Sequence, residues 1–123
     1  MSSSGSRLVL QTFNQHAGQM AMSAVTLAEL LHGVEKSVNP QQNRSVVDDF
    51  VSRLDVVEYG QRAAYHYGEI RADLEKRGTP IGVNDLHIAA HARSEAMVLV
   101  TNNRKEFDRV DGLRVENWLS NVH

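Results

Sequence analysis

The chain contains no cysteine. That absence excludes a disulfide scaffold, a thiol nucleophile, and zinc or iron–sulfur centres held by thiolates. Proline occurs only at Pro40 and Pro80, and no Pro/Gly-rich stretch divides the chain. Neither charge dominates: 13 Lys+Arg against 15 Asp+Glu leave a net charge of −2. A strongly cationic nucleic-acid coat is thereby excluded, although a local basic patch is not. No apolar run reaches the roughly 18–20 residues that cross a bilayer, and the N-terminus has no secretory apolar stretch. P-loop, Gly-x-Gly-x-x-Gly and Gly-x-Ser-x-Gly motifs are all missing, so Ser94 and Ser120 have no nucleophile elbow. What is present is 123 residues, 41% hydrophobic and 23% charged, the balance of one soluble globular domain. With no cysteine in use, a reducing compartment, the cytoplasm, is the expected location. Residues 1–6, Met-Ser-Ser-Ser-Gly-Ser, offer little to anchor a core and are expected to be a flexible start or an added or misassigned leader. The domain is then expected over residues 7–123.

Local patterns predict alternating strands and helices. Leu8, Leu10 and Phe13 suggest a short helix ending before Gly18, and Met20 to Ser23 reads as a buried strand. Thr26, with Glu29 three residues on, forms a capping-box pattern, followed by Leu27, Leu30, Leu31 and Val34 on one helical face. Asn39-Pro40 marks another helix start, with Val46, Val47, Phe50, Val51 and Leu54 following at helical spacing. Asp55 to Tyr59 reads as a strand. Ala63, Tyr67, Ile70 and Leu74 then give the clearest helical stripe, closed by Gly78 and Pro80. Asn84 can cap a helix running through Leu86, Ile88, Ala89 and Ala92, and Met97 to Val100 is too apolar for a half-exposed strand. A polar turn around Phe107 and a last strand, Leu113 to Val115, complete the pattern. Strands that are continuous apolar runs alternating with helices predict an α/β fold with a mostly parallel sheet, whose chemistry collects at the carboxyl ends of the strands.

Three acidic residues fall near such ends: Glu29, Asp85 and Glu106. Clustered carboxylates repel one another and need a cation, and oxygen donors alone select Mg²⁺ or Mn²⁺. A divalent ion held this way activates water and stabilises charge on a phosphodiester. Each residue also has a purely structural explanation. Glu29 suits a capping box with Thr26; Asp85 suits the positive end of a helix dipole; Glu106 lies in the charged stretch Arg104 to Arg109 and suits plain surface. His87 and His91 are four apart, but Ile88 stands where a zinc protease has glutamate. The alanines around them predict a packed, hydrogen-bonded His91 rather than a zinc ligand.

Four segments together resemble a known family. Ser23 to Leu30 with Gly33 to Ser37 resembles the second acidic motif of PIN-domain toxins of the VapC type. Pro80 to Asp85 with Ile88 to Ala92 resembles their third. Val100 to Asn103 with Glu106-Phe107 resembles their fourth, and Arg114 to Trp118 is similar to their usual ending. The likeness runs from about Phe13 to Trp118, in order, and is strongest to enterobacterial-type members. It implies a three-layer α/β/α sandwich with a short, mostly parallel sheet. It implies a Mg²⁺-dependent endoribonuclease (Mn²⁺ as substitute) acting on structured RNA, in the enterobacterial branch initiator tRNA cut in its anticodon loop. Loops of this kind expose bases and backbone. On this reading Glu29, Asp85 and Glu106 are the catalytic and metal-site carboxylates, Thr101, Asn102 and Asn103 support them, and His91 is structural. Arg104 and Lys105 are placed as substrate-binding residues, with Arg7, Arg93 and Arg109 near the same rim; ordinary surface charge explains all five equally well. The resemblance further implies a VapB-type antitoxin as partner, a homodimer, and no membrane association.

The departure from the family is as specific as the match. Members open with a strand ending in Asp-Thr-Asn, whose aspartate is a metal ligand. This chain has neither the motif nor any acidic residue before Glu29. With that first strand missing, the sheet is expected to keep an unpaired central position, to be less stable, and to aggregate more readily. Metal affinity and hydrolysis are expected to be impaired. The alternative is a catalytically inactive PIN domain that still binds its antitoxin.

Overall fold

A computed structural model describes residues 12–16, 19–101 and 103–117. Leu8, Leu10, Arg7, Asn102, Trp118 and the expected leader at residues 1–6 lie outside them. The elements in chain order are β1 (Thr12–His16), β2 (Gln19–Ser23), α1 (Ala24–Lys36), α2 (Pro40–Val51), β3 (Asp55–Val57), α3 (Gln61–Arg77), α4 (Val83–Ser94), β4 (Val98–Val100), α5 (Arg104–Phe107) and β5 (Arg114–Glu116).

The sheet has five strands in the order β3-β2-β1-β4-β5. β2 pairs parallel with β3, and β4 parallel with β5. β1 runs antiparallel to both of its neighbours, with Phe13 opposite Ala21 on one side and Leu99 on the other. Two sequence expectations are corrected here. Residues 12–16 are a strand, not the end of a helix, and the central position of the sheet is filled rather than unpaired. The reason lies in hydrogen bonding. The facing edges of β2 and β4 carry backbone groups that must find partners, and β1 satisfies both edges at once. A short isolated helix is marginal by comparison. The fit is imperfect, since the register slips between Asn14 and His16. Because β1 is reversed, β2, β3, β4 and β5 all point the same way, and their carboxyl ends share one edge.

Several local signals work as expected. Pro40 opens α2 from its first turn. Gly78 ends α3 in the left-handed conformation, φ 73°, and its N–H bonds back to the carbonyls of Glu75 and Leu74. Phe107 is completely buried inside the short helix α5, where a polar turn was expected. The core joins Ile70 and Leu74 of α3, Leu86, Ile88, Ala89, Ala90 and Ala92 of α4, and Ala21 and Leu99 of the sheet. The alanines let α4 lie close against the sheet. Arg93 ties this layer together: its guanidinium donates to His66 Nδ1 at 2.7 Å, to Glu69 at 2.7 Å and to the Asp111 carbonyl at 3.0 Å. Arg93 is therefore a structural tie. Arg109 likewise donates to the Pro80 carbonyl at 2.9 Å.

Candidate functional site

The chain path starts the three helices that carry these carboxylates at one sheet edge. α1 starts directly after the carboxyl end of β2, and α5 starts just after that of β4. α4 returns into β4 through a short turn, so it runs against the sheet direction. Its N-terminus, about 18 Å from its other end at 1.5 Å per residue, therefore lies at the same edge. Glu29, Asp85 and Glu106 belong to α1, α4 and α5 respectively.

Glu29 is released from the capping duty its spacing suggested. The cap of α1 is Ser23, whose Oγ accepts from Val25 N at 3.0 Å; Thr26 is fully buried within the first turn. The helix begins earlier than Thr26 because Ser23 stands at the end of β2, where the backbone turns from extended to helical. Glu29 thus sits in the second turn, and Asn84 Nδ2 donates to its Oε2. Asn84 is not the cap of α4, as its position suggested; Gly82 occupies that place, and Asn84 reaches across to α1 instead. Asp85, next in sequence, stands in the first turn of α4, where the helix dipole favours its negative charge.

The loop into α5 is fixed from both sides. Thr101 N donates to the Glu116 carbonyl at 3.0 Å, and Thr101 Oγ1 accepts from Asn103 N at 3.0 Å. Thr101 is buried and orients the turn that leads to Glu106. Glu106 Oε1 is shielded from solvent and has no hydrogen-bond partner among the described residues. A buried carboxylate oxygen in that state is a ligand that a donor or a cation could satisfy. Arg104 leans on Asp108 one turn on, at 3.4 Å, and Lys105 beside it is exposed.

The donor set suits a hard cation in chemistry but not yet in geometry. Carboxylate and amide oxygens are the ligands that Mg²⁺ takes. Among the described residues, however, no three acidic or histidine side chains converge as a metal group.

Behind the carboxylates lies a buried polar cluster. His91 is fully excluded from solvent, and its Nδ1 stands 2.8 Å from Ser23 Oγ. Ser23 Oγ already accepts from Val25, so its own proton is available to a neutral imidazole. Burial lowers the His91 pKa from 6.5, opposed by a backbone hydrogen bond to Glu58 and by the charge of Glu95. His87 is lowered too, by burial and then by Arg71; its Nδ1 lies 2.9 Å from the Tyr59 hydroxyl and its ring stacks on Tyr67 at 4.3 Å. The ring nitrogens of the two histidines meet different hydroxyls, Ser23 for His91 and Tyr59 for His87. Tyr59 packs edge-on against both, its own pKa raised by burial and by Tyr67.

These shifts fix the sign of a pH dependence. A histidine whose folded pKa is depressed is neutral in the native state while the unfolded chain still binds a proton. Stability is then fully present above the unfolded pKa near 6.5 and declines as pH falls through 6.5 toward the lower folded value. The urea midpoint is expected to be lower at pH 5.5 than at pH 7.5, with a smaller drop in His91→Asn. Equal midpoints for the parent protein would contradict the assignment.

Neither Ser23 nor Asn84 stands out in the sequence as a bridging residue. Each has a local capping explanation, and the partner that matters is far along the chain. Asn102 lies outside the described residues.

Comparison with known proteins places this arrangement. The PIN-domain family profile matches residues 3–113. Ribonuclease VapC2 of Haemophilus influenzae is 53% identical over 111 residues, covering 90% of this chain and 84% of that protein. The tRNA(fMet)-specific endonuclease VapC of Shigella flexneri is 51% identical, covering 89% and 83%. Among solved structures, VapBC2 of Rickettsia felis bound to a promoter DNA fragment aligns with a TM-score of 0.79 at 48% identity, covering 81% of this chain and 75% of that one. The DNA-bound VapBC of Salmonella typhimurium aligns at 0.78 with 50% identity, covering 80% and 74%.

Proposed function

The chain belongs to the VapC family of PIN-domain ribonucleases, and from that premise we propose that it is the endoribonuclease toxin of a toxin–antitoxin pair, acting on tRNA in the cytoplasm. The observation that carries the reading is the placement of Glu29, Asp85 and Glu106 at one sheet edge, with Glu29 held against the first turn of α4 by Asn84. The names of similar proteins supply the substrate: two of them are called tRNA(fMet)-specific endonucleases. The solved VapBC structures support a VapB-type antitoxin as partner. A homodimer belongs to the same proposal. No helix among the described residues is long and apolar enough to cross a membrane.

In this reading Glu29, Asp85 and Glu106 would hold a divalent cation, Mg²⁺ or Mn²⁺, which supplies charge stabilisation at the scissile phosphate. The chain's own residues hold the loop and helix ends in place. Thr101 fixes the turn before α5, and Asn103 leads into it. Arg104 and Lys105, on the outer side of α5, are the cations nearest in sequence to Glu106 and would face the RNA backbone.

The second reading is an inactive domain that retains antitoxin binding. It is favoured by the reversed strand β1 and by the absence of a three-ligand group among the described residues. Incubating the protein with bulk tRNA and with initiator tRNA separates the two. The enzyme reading expects a discrete cleavage product with Mg²⁺ that disappears with EDTA. A folded protein that binds a VapB-type antitoxin and leaves tRNA intact establishes the second.

A further inference from the structure

Among the described residues, one hydrogen bond joins Ser23, the cap of α1, to α4 and another joins α1 itself to α4, and both connect residues distant in the chain. One is buried, from Ser23 to His91 at 2.8 Å. The other is at the surface, from Asn84 to Glu29. Glu29 stands six positions after Ser23, and His91 seven positions after Asn84. At 1.5 Å per residue these spans are about 9 Å and about 10 Å, so the two bonds form equally spaced rungs between antiparallel helices. A slide of one helix by a single residue breaks both.

The buried rung is the better fixed of the two. Ser23 and His91 are fully excluded from solvent, where a hydrogen bond is strengthened by low polarity and costly to leave unmade. Ser23 is also the residue on which α1 begins, and Tyr59 packs edge-on against the His91 ring at 5.4 Å. The surface rung is exposed, and solvent competes for both of its side chains.

We infer that His91 is a positioning residue: through Ser23 it sets the register of α1 against α4, and so holds Glu29 beside Asn84 and Asp85. The consequence for catalysis rests on the nuclease reading given above; the consequence for helix register does not. A histidine that only filled core volume could be exchanged for an apolar residue of similar size. A register-setting histidine needs a polar atom at the Nδ1 position, which asparagine supplies and leucine does not.

The test uses the full chain and three variants, His91→Leu, Ser23→Ala and His91→Asn, with Glu29→Ala as the reference for a broken surface rung. The first readout is the side-chain amide signal of Asn84 in a nitrogen–proton correlation spectrum. It is expected to move to its Glu29→Ala position in His91→Leu and Ser23→Ala, and to stay at its parent position in His91→Asn. The second is cleavage of initiator tRNA. There kcat is expected to fall about tenfold in the first two variants with little change in KM, as for a misplaced reacting group, and to recover in His91→Asn. A folded His91→Leu protein with the parent Asn84 signal overturns the inference. Should that variant fail to fold, His91→Phe, which keeps a ring, lacks the Nδ1 atom and leaves the Ser23 cap of α1 in place, decides the same question. A parent protein that cuts no RNA defeats the nuclease reading, while the Asn84 signals still decide the register.

Discussion

Asp85→Asn is expected to lower tRNA cleavage by at least about a hundredfold while leaving the protein folded. The substitution keeps the size and shape of the side chain and removes its charge. A carboxylate at this edge can hold a cation or take a proton; an amide does neither well. The structural cost is small by comparison. Asp85 is in the first turn of α4, where losing a negative charge weakens the dipole interaction by about 0.3–1 kcal/mol. Single-turnover cleavage of end-labelled tRNA, alongside circular dichroism, measures the two effects separately. An Asp85→Asn protein that cuts at the parent rate would remove Asp85 from the chemistry and leave its helix-dipole role as sufficient explanation.

Phe107→Ala is expected to destabilise the fold by about 3–5 kcal/mol, a large share of the roughly 5–15 kcal/mol that hold a domain of this kind together. Phe107 is among the largest fully buried side chains, in the same cluster as Leu74, Leu99 and Val110. Its helix, α5, has four residues and cannot sustain itself by backbone hydrogen bonds alone. Phe107 is therefore the anchor by which Glu106, its neighbour in sequence, is kept at the sheet edge. Truncation leaves a cavity that the packed alanines of α4 have no side chain long enough to fill. Phe107→Leu, which keeps most of the volume, is expected to cost about 1–1.5 kcal/mol. Urea unfolding of the two variants tests this; a Phe107→Ala loss below about 1 kcal/mol would show that α5 is held by something else.

These two residues illustrate how the site could be read. Asp85 follows Gly82 and opens an apolar helix, and its distance from Glu29 and Glu106 in sequence suits three different elements of an α/β fold. The four family-like segments reinforced that placement. Asn84, by contrast, carries a capping signal that the structure does not use. Thr26 and Glu29 match a capping box, yet Ser23 takes the cap because β2 ends there. In both cases two residues satisfy the same local rule, and the tertiary arrangement chooses between them.

Strand β1 shows the larger limit of local pattern. Residues 12–16 contain nothing that marks them as a central strand, and their spacing from Leu8 and Leu10 fits a helix equally well. What decides their conformation is the pair of edges presented by β2 and β4, which are formed by residues up to 88 positions further on, as in the pairing of Thr12 with Val100.

The sequence by itself determined the α/β class, the buried strand at β4, the start of α2 at Pro40 and the end of α3 at Gly78. Those features follow from periodicity, from proline and glycine geometry, and from chain direction, all of which act over a few residues or through topology. Only the tertiary structure decided the direction of β1, the bond from Asn84 to Glu29, and the bond from Ser23 to His91. The last two join residues 55 and 68 positions apart. A hydrogen bond at that separation depends on where two helices pack, and no local pattern in either helix encodes it.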